Sequence, residues 1–193
     1  RVPEKLVPVI PQDDLRKLFK AVAGKGFEDR RDKAIISLFV DTGLRVSEAA
    51  ALGVRDLDTD QRELVVMGKG RRPRILRIVT ETRTDILRYL QARSQHPHAE
   101  DEALWLGKRG RLTDNGIRQM VRRRQEEAGI ARIHPHMFRH TFAHEYLRSG
   151  GAEGDLVRIT GWKDRQMLDR YGASVAAERA RDAHDRHSPR KRL

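Results

Sequence analysis

Between Val54 and Val79 the chain changes its hydrophobic period, and that change limits the folds open to it. Upstream, Leu15, Leu18, Phe19 and Val22 recur at i, i+3, i+4 and i+7, which predicts an amphipathic helix after Pro11 that closes near Gly24. A second helix is expected from about Phe27 to Thr42, burying Ile35, Leu38 and Phe39 and ended by Gly43 in the left-handed conformation. "LRVSEAAALG" reads as a short helix stopped by Gly53. Then "VRDLDTDQRELVVMGKGRRPRILRIV" offers two β-rich runs, Glu63–Met67 and Arg74–Val79, joined as a hairpin by the Gly-rich, basic turn "GKGRRP". Helical spacing returns from Thr80 to Gln95, with Ile86, Leu87 and Leu90 apolar. "SQHPHAEDE" is a loop and "ALWLG" a short extended segment. A helix capped by Thr113 buries Ile117, Met120 and Val121 and ends near Gly129. Further helices are expected at about Phe138–Ser149, Asp155–Thr160 and Asp164–Tyr171. The fold class is α+β: mainly α-helical, with one small antiparallel β-sheet.

The 193 residues suffice for one domain with a real core. The opening "RVPEKLVPVIPQ" carries three prolines, so residues 1–10 read as an interdomain linker and something further is expected upstream. Residues 11–172 form the domain itself. Residues 173–193 form an Ala/Arg/Asp-rich tail, helical in pattern to about His184, whose alternative is a frayed basic terminus.

The net charge of +12 points to a polyanionic partner, nucleic acid first among them. The cations are 31 Arg and 9 Lys. A GC-rich coding sequence gives the same skew, so the inference rests on the net charge. The absence of cysteine excludes disulfides, thiolate metal sites and cysteine nucleophiles. No apolar run reaches membrane-spanning length and no signal pattern opens the chain, so a soluble, cytoplasmic protein with no membrane partner is expected.

Four separated segments carry the chemistry: "TGLRVSEAAAL" (42–52), "GKG" (68–70), "HPHMFRHTFAH" (134–144) and "GWKDRQMLDRY" (161–171). In this order and spacing they resemble the catalytic domain of the tyrosine recombinase, or phage integrase, family, over nearly the whole chain. The resemblance implies the following roles. Arg45 is the first catalytic arginine and Glu48 the acidic buttress behind it. Lys69 is the lysine of the β-hairpin, His136 and Arg139 are the H-x-x-R pair, and Tyr171 is the nucleophile. Trp162 stands where most members carry histidine; some carry tryptophan, whose indole N–H can hydrogen-bond a phosphate oxygen but cannot exchange protons.

Attack on a phosphodiester builds negative charge on the non-bridging oxygens, which Arg45 and Arg139 would stabilise more in the transition state than in the ground state. The Tyr171 phenol, with a normal pKa of about 10, must lose its proton as it attacks, and His136 is the natural base or a hydrogen-bond partner of the phosphate. Lys69 is the best general acid for the leaving 5′-oxygen. With no carboxylate cluster to hold Mg²⁺, catalysis without metal or other cofactor is expected. The implied activity is site-specific cleavage and rejoining of double-stranded DNA attachment sites by a tetramer on DNA, a monomer in solution being compatible with it. Type IB topoisomerase-like rejoining and a non-catalytic DNA-binding regulator are the alternatives.

Other features have plainer readings. His140 and His144 lie one helical turn apart, but "HTFAH" lacks the glutamate and third ligand of a familiar zinc motif, which favours packing or structural hydrogen bonds. Tyr89 and Tyr146 read as core or groove-lining residues. Arg71 and Arg72 in the hairpin turn, and Arg118, Arg122 and Arg123 or Arg124 along one helix, are candidate phosphate contacts, a solvated charged face being the alternative. Arg77 reads as an added phosphate contact or as nothing.

Overall fold

A computed structural model describes residues 8–68 and 72–162, together with Leu168, His184, Ser188 and Arg190. In chain order its helices are α1 (Gln12–Ala21), α2 (Phe27–Thr42), α3 (Val46–Ala51), α4 (Thr80–Arg93), α5 (Asp114–Ala128), α6 (Pro135–Arg148) and α7 (Glu153–Thr160). The strands are β1 (Leu57–Asp58), β2 (Glu63–Met67), β3 (Pro73–Arg77), β4 (Leu106–Gly107) and β5 (Gly110–Arg111).

Helix α2 is the centre of the fold, with α4 and α6 packed against it. Ala34, Ile35, Ile36, Leu38 and Phe39 are fully buried, so the helix is apolar on most of its circumference. Phe39 stacks on Phe138 of α6 at 5.6 Å between ring centroids. Gly43 ends α2 at φ 61°, as expected, and a Cβ there would come within 2.7 Å of the Phe142 ring. Only glycine satisfies both the left-handed backbone and that close approach.

Strands β1, β2 and β3 form an antiparallel sheet in sequence order. Leu64 pairs with Leu76 and Val66 with Arg74 on the core face, while Val65 pairs with Ile75 on the other. A second, two-stranded ribbon pairs β4 with β5, so the domain holds two small sheets rather than one. The "ALWLG" segment thus has a partner. The Tyr89 hydroxyl ties the segment to α4, donating to the Leu104 carbonyl at 2.9 Å and accepting from the Leu106 N–H at 3.0 Å.

Several boundaries differ from expectation, three of them for identifiable reasons. Helix α6 begins at Pro135 rather than Phe138, because proline at the first helical position has its φ preset and lacks a donor that would be orphaned anyway. Strand β3 spans Pro73–Arg77, and the Val79 N–H instead meets the Asp41 carboxylate at 2.9 Å, starting α4. Helix α4 ends at Arg93, whose buried guanidinium donates to the Ala99 and Ala103 carbonyls. The Asp164–Tyr171 helix and the tail helix lie outside the described residues. No helix among those described is long and apolar enough to cross a membrane.

A smaller apolar cluster sits beside the main core, where Ala143 and Leu147 of α6 meet Leu156 of α7, Trp162 and Leu168.

Candidate active site

Two helix ends and one helix start converge on the same place. The chain leaves α2 at Gly43 and enters α3 through Arg45, whose extended backbone (φ −72°, ψ 147°) caps the helix. Glu48, three residues on, reaches back: its Oε2 accepts the Arg45 backbone N–H at 3.0 Å and its Oε1 accepts Arg45 Nη1 at 2.9 Å. An acid at the third helical position satisfies an orphaned donor of the first turn, and here it also orients a guanidinium. Glu48 is buried, whereas the Arg45 side chain is 35% exposed.

Glu48 has a second cation. Arg74 of β3 binds it in bidentate fashion, Nη1 to Oε1 at 3.0 Å and Nη2 to Oε2 at 2.9 Å, and donates from Nε to the Ile159 carbonyl at 2.9 Å. Burial pushes the Glu48 carboxyl up, but the hydrogen bonds from Arg74 and the Arg45 N–H, with the charges of both guanidiniums, outweigh it and hold the pKa below the usual carboxylate value.

Arg139, on the second turn of α6, is buried. It donates from Nη1 to the Gly43 carbonyl at 2.8 Å and from Nη2 to the Thr160 carbonyl at 2.6 Å. Its guanidinium lies 5.4 Å from the centroid of the Trp162 ring. Trp162 is itself buried, packed in the α6–α7 cluster just after Gly161 turns the chain at φ 66°. The end of α2 and the end of α7 are therefore tied to one guanidinium, two residues from Arg45.

His136 follows Pro135 in the first turn of α6. Burial and the charges of His134, Arg118, Arg139 and Arg45 push its pKa below the ordinary imidazole value, which favours the neutral ring. His140, one turn further, is pushed down to about 4, chiefly by burial. His144 meets Glu145 at 3.3 Å. Among the described residues no group of three His, Cys, Asp or Glu is placed to hold a metal ion.

The structure brings Arg45, Glu48, His136, Arg139 and Trp162 together; Lys69, Arg71 and Tyr171 lie outside the described residues. The Arg72 carbonyl accepts the Gly68 N–H at 3.0 Å, which closes the base of the hairpin turn, and the Arg72 side chain is exposed. On α5, Arg118 and Arg122 are exposed in i,i+4 pairs with Asp114 (2.6 Å) and Glu126 (3.0 Å). The basic face stops there. Arg124 is buried against Asp32, Asp29 and Glu127, each at 2.8 Å, and Arg123 turns to Asp32 at 3.0 Å. Arg77 is exposed opposite Glu63. Tyr89 belongs to the core, where burial pushes its phenol up to about 12, and Tyr146 lines a groove of about 600 Å³ with α1 and α2.

The sequence reading missed Arg74. A signal for it exists: Arg74 is in phase with Leu76 on the core face of β3, and a charge in that phase requires a buried counter-ion.

This architecture has known relatives. Residues 8–178 match the Phage integrase family. Over 164 residues the chain is 35% identical to tyrosine recombinase XerC of Shewanella amazonensis, covering 84% of this chain and 55% of that protein. It is 36% identical over 165 residues to tyrosine recombinase XerD of Bifidobacterium longum, covering 79% of this chain and 53% of that protein. The crystal structure of XerA recombinase superposes with a TM-score of 0.80 at 26% identity, over 98% of this chain and 66% of that one. XerH site-specific recombinase, solved on its difH substrate, shares the fold at a TM-score of 0.74 and 21% identity, over 86% of this chain and 51% of that one.

The chain belongs to the phage integrase family of tyrosine recombinases. It spans about half the length of the curated relatives it matches.

Proposed function

We propose that this chain is the catalytic domain of a site-specific DNA recombinase that cleaves and rejoins double-stranded attachment sites. The observation that supports this most is the meeting of Arg45, His136 and Arg139, from three distant segments, around one carboxylate and two helix ends. An imidazole within the field of two guanidiniums suits a phosphodiester that gains negative charge as a neutral nucleophile gives up its proton.

In this reading the Tyr171 oxygen attacks the scissile phosphorus, His136 takes the phenol proton, and Lys69 protonates the departing 5′-oxygen. The products are a 3′-phosphotyrosine and a free 5′-hydroxyl. Attack of that hydroxyl, or one from a partner duplex, on the phosphotyrosine restores the phosphodiester without ATP. Arg45 and Arg139 carry the charge of the non-bridging oxygens, and Trp162 supports Arg139 from its ring face. Residues 1–10 serve as the linker to a core-binding domain, residues 173–193 dock on a neighbouring protomer, and a tetramer assembles on DNA in the cytoplasm. Exposed Arg72, Arg118 and Arg122, together with Arg71, track the backbone.

The test is a denaturing gel with nicked suicide duplexes from candidate attachment sites, in EDTA. A covalent adduct formed by the parent and lost in Tyr171→Phe and Arg139→Ala supports the reading. DNA that binds in a salt-dependent way without any adduct would leave a binding module instead.

A further inference from the structure

Arg74 is not among the residues to which the family resemblance gives a role, yet its guanidinium is tied into the site's framework at two points. Its side chain is 13% exposed. Nη1 and Nη2 bind Glu48 and Nε binds the Ile159 carbonyl, so one planar group joins β3 to the start of α3 and the end of α7. Two glycines border it at ordinary contact distance. A Cβ on Gly68 would lie 3.5 Å from Arg74 Nη1, and one on Gly161 would lie 3.5 Å from Nη1 and 3.6 Å from Cζ.

The consequence falls on Arg45. A buried carboxylate facing one arginine draws that arginine into a two-point fork. Because Arg74 already occupies both Glu48 oxygens, Arg45 shares only Nη1, and among the described residues its Nε and Nη2 take no partner. Those two donors stay directed away from Glu48, available to a phosphate.

We propose that Arg74 is a positioning residue for DNA cleavage: by occupying Glu48 and pinning the end of α7, it keeps the Arg45 fork open toward the scissile phosphate and in register with Arg139. Without Arg74, Arg45 folds onto Glu48. The proposal rests on the recombinase reading above, and its test separates the two.

Adduct formation under single-turnover conditions is measured on the duplex the parent cleaves, and on the same duplex with a methyl group replacing one non-bridging oxygen of the scissile phosphate. The methyl removes the charge that Arg45 would stabilise. Arg74→Ala should slow cleavage of ordinary DNA by about 10- to 100-fold, the range for groups that orient a working ligand. On the methylated duplex the gap between parent and variant should close, as it should for Arg45→Ala. Arg74→Lys, which keeps the charge but cannot span Glu48 and Ile159, should behave like Arg74→Ala and replaces it if the alanine variant does not fold. A parent that forms adduct, beside Arg74 variants that match it or are slowed equally on both duplexes, overturns the positioning role and leaves the recombinase reading intact. A parent that forms no adduct on any DNA it binds overturns both.

Discussion

Near the first turns of α2, Arg31, Arg123 and Arg124 face four carboxylates, Glu28, Asp29, Asp32 and Glu127; past its last turn, Arg45 and Arg74 share the single carboxylate of Glu48, and Arg139 lies on backbone carbonyls. The two clusters are separated by roughly 16 Å of helix. In the first, three positive charges meet four negative ones, and Asp32 is fully buried. In the second, backbone carbonyls of Gly43, Ile159 and Thr160 take part beside Glu48, and a carbonyl orients a guanidinium without cancelling its charge. Arginine density is the same in both. The partners decide whether the charge is neutralised inside the fold or held ready for an anion.

That contrast breaks most sharply at Arg139. Arg139→Ala is expected to reduce the single-turnover rate of adduct formation by about 1,000-fold or more. Arg139→Lys should restore little of it, since an ammonium cannot reach both carbonyls in one plane. Asp32→Asn tests the opposite cluster. It leaves buried guanidiniums undercompensated and should cost about 3 kcal/mol, lowering Tm by roughly 6–12 °C in thermal melts. The cleavage rate of the folded fraction should stay at the parent value; a loss of cleavage equal to that of Arg139→Ala would erase the distinction.

A pH series sharpens it further. The His140 ring has a folded pKa of about 4 against an ordinary 6.5, so the unfolded chain binds more protons between those values. Its contribution to stability is complete above about 6.5 and is lost as pH falls toward 4. After screening of a half-buried ring this amounts to about 1–2 kcal/mol, and Tm in His140→Gln should fall less steeply with acid than in the parent. The smallest effect belongs to the exposed α5 pairs. Arg118→Ala and Arg122→Ala should each change stability by less than about 0.5 kcal/mol and lower the slope of log K against log salt by about 1, measured by fluorescence anisotropy on duplex DNA.

Much of this was legible in the sequence, for reasons that differ by element. Helix α2 could be bounded at both ends because its apolar spacing is long and Gly43 marks its stop. Arg45, Glu48, His136 and Arg139 were legible because four short segments keep one order and spacing. Strand β4 was legible only as part of the extended "ALWLG" and its partner β5 not at all, since two-residue strands carry no period. Pro135 misled because the residue that breaks a helix interior also favours its first turn. Arg124 read as part of a basic face because its counter-ion Asp32 lies 92 residues away in the chain. Arg74 was hidden in the same way, its meaning set by Glu48, 26 residues distant.

The two carbonyls that hold the end of α7, Ile159 to Arg74 and Thr160 to Arg139, belong to the backbone. This mooring is indifferent to the letters written at positions 159 and 160. Mutation can exchange those side chains for others of similar size while the anchor persists, so evolutionary drift in this stretch meets little resistance from the catalytic apparatus. The constraint falls instead on the donors, and on Gly161, whose φ of 66° strains any other residue.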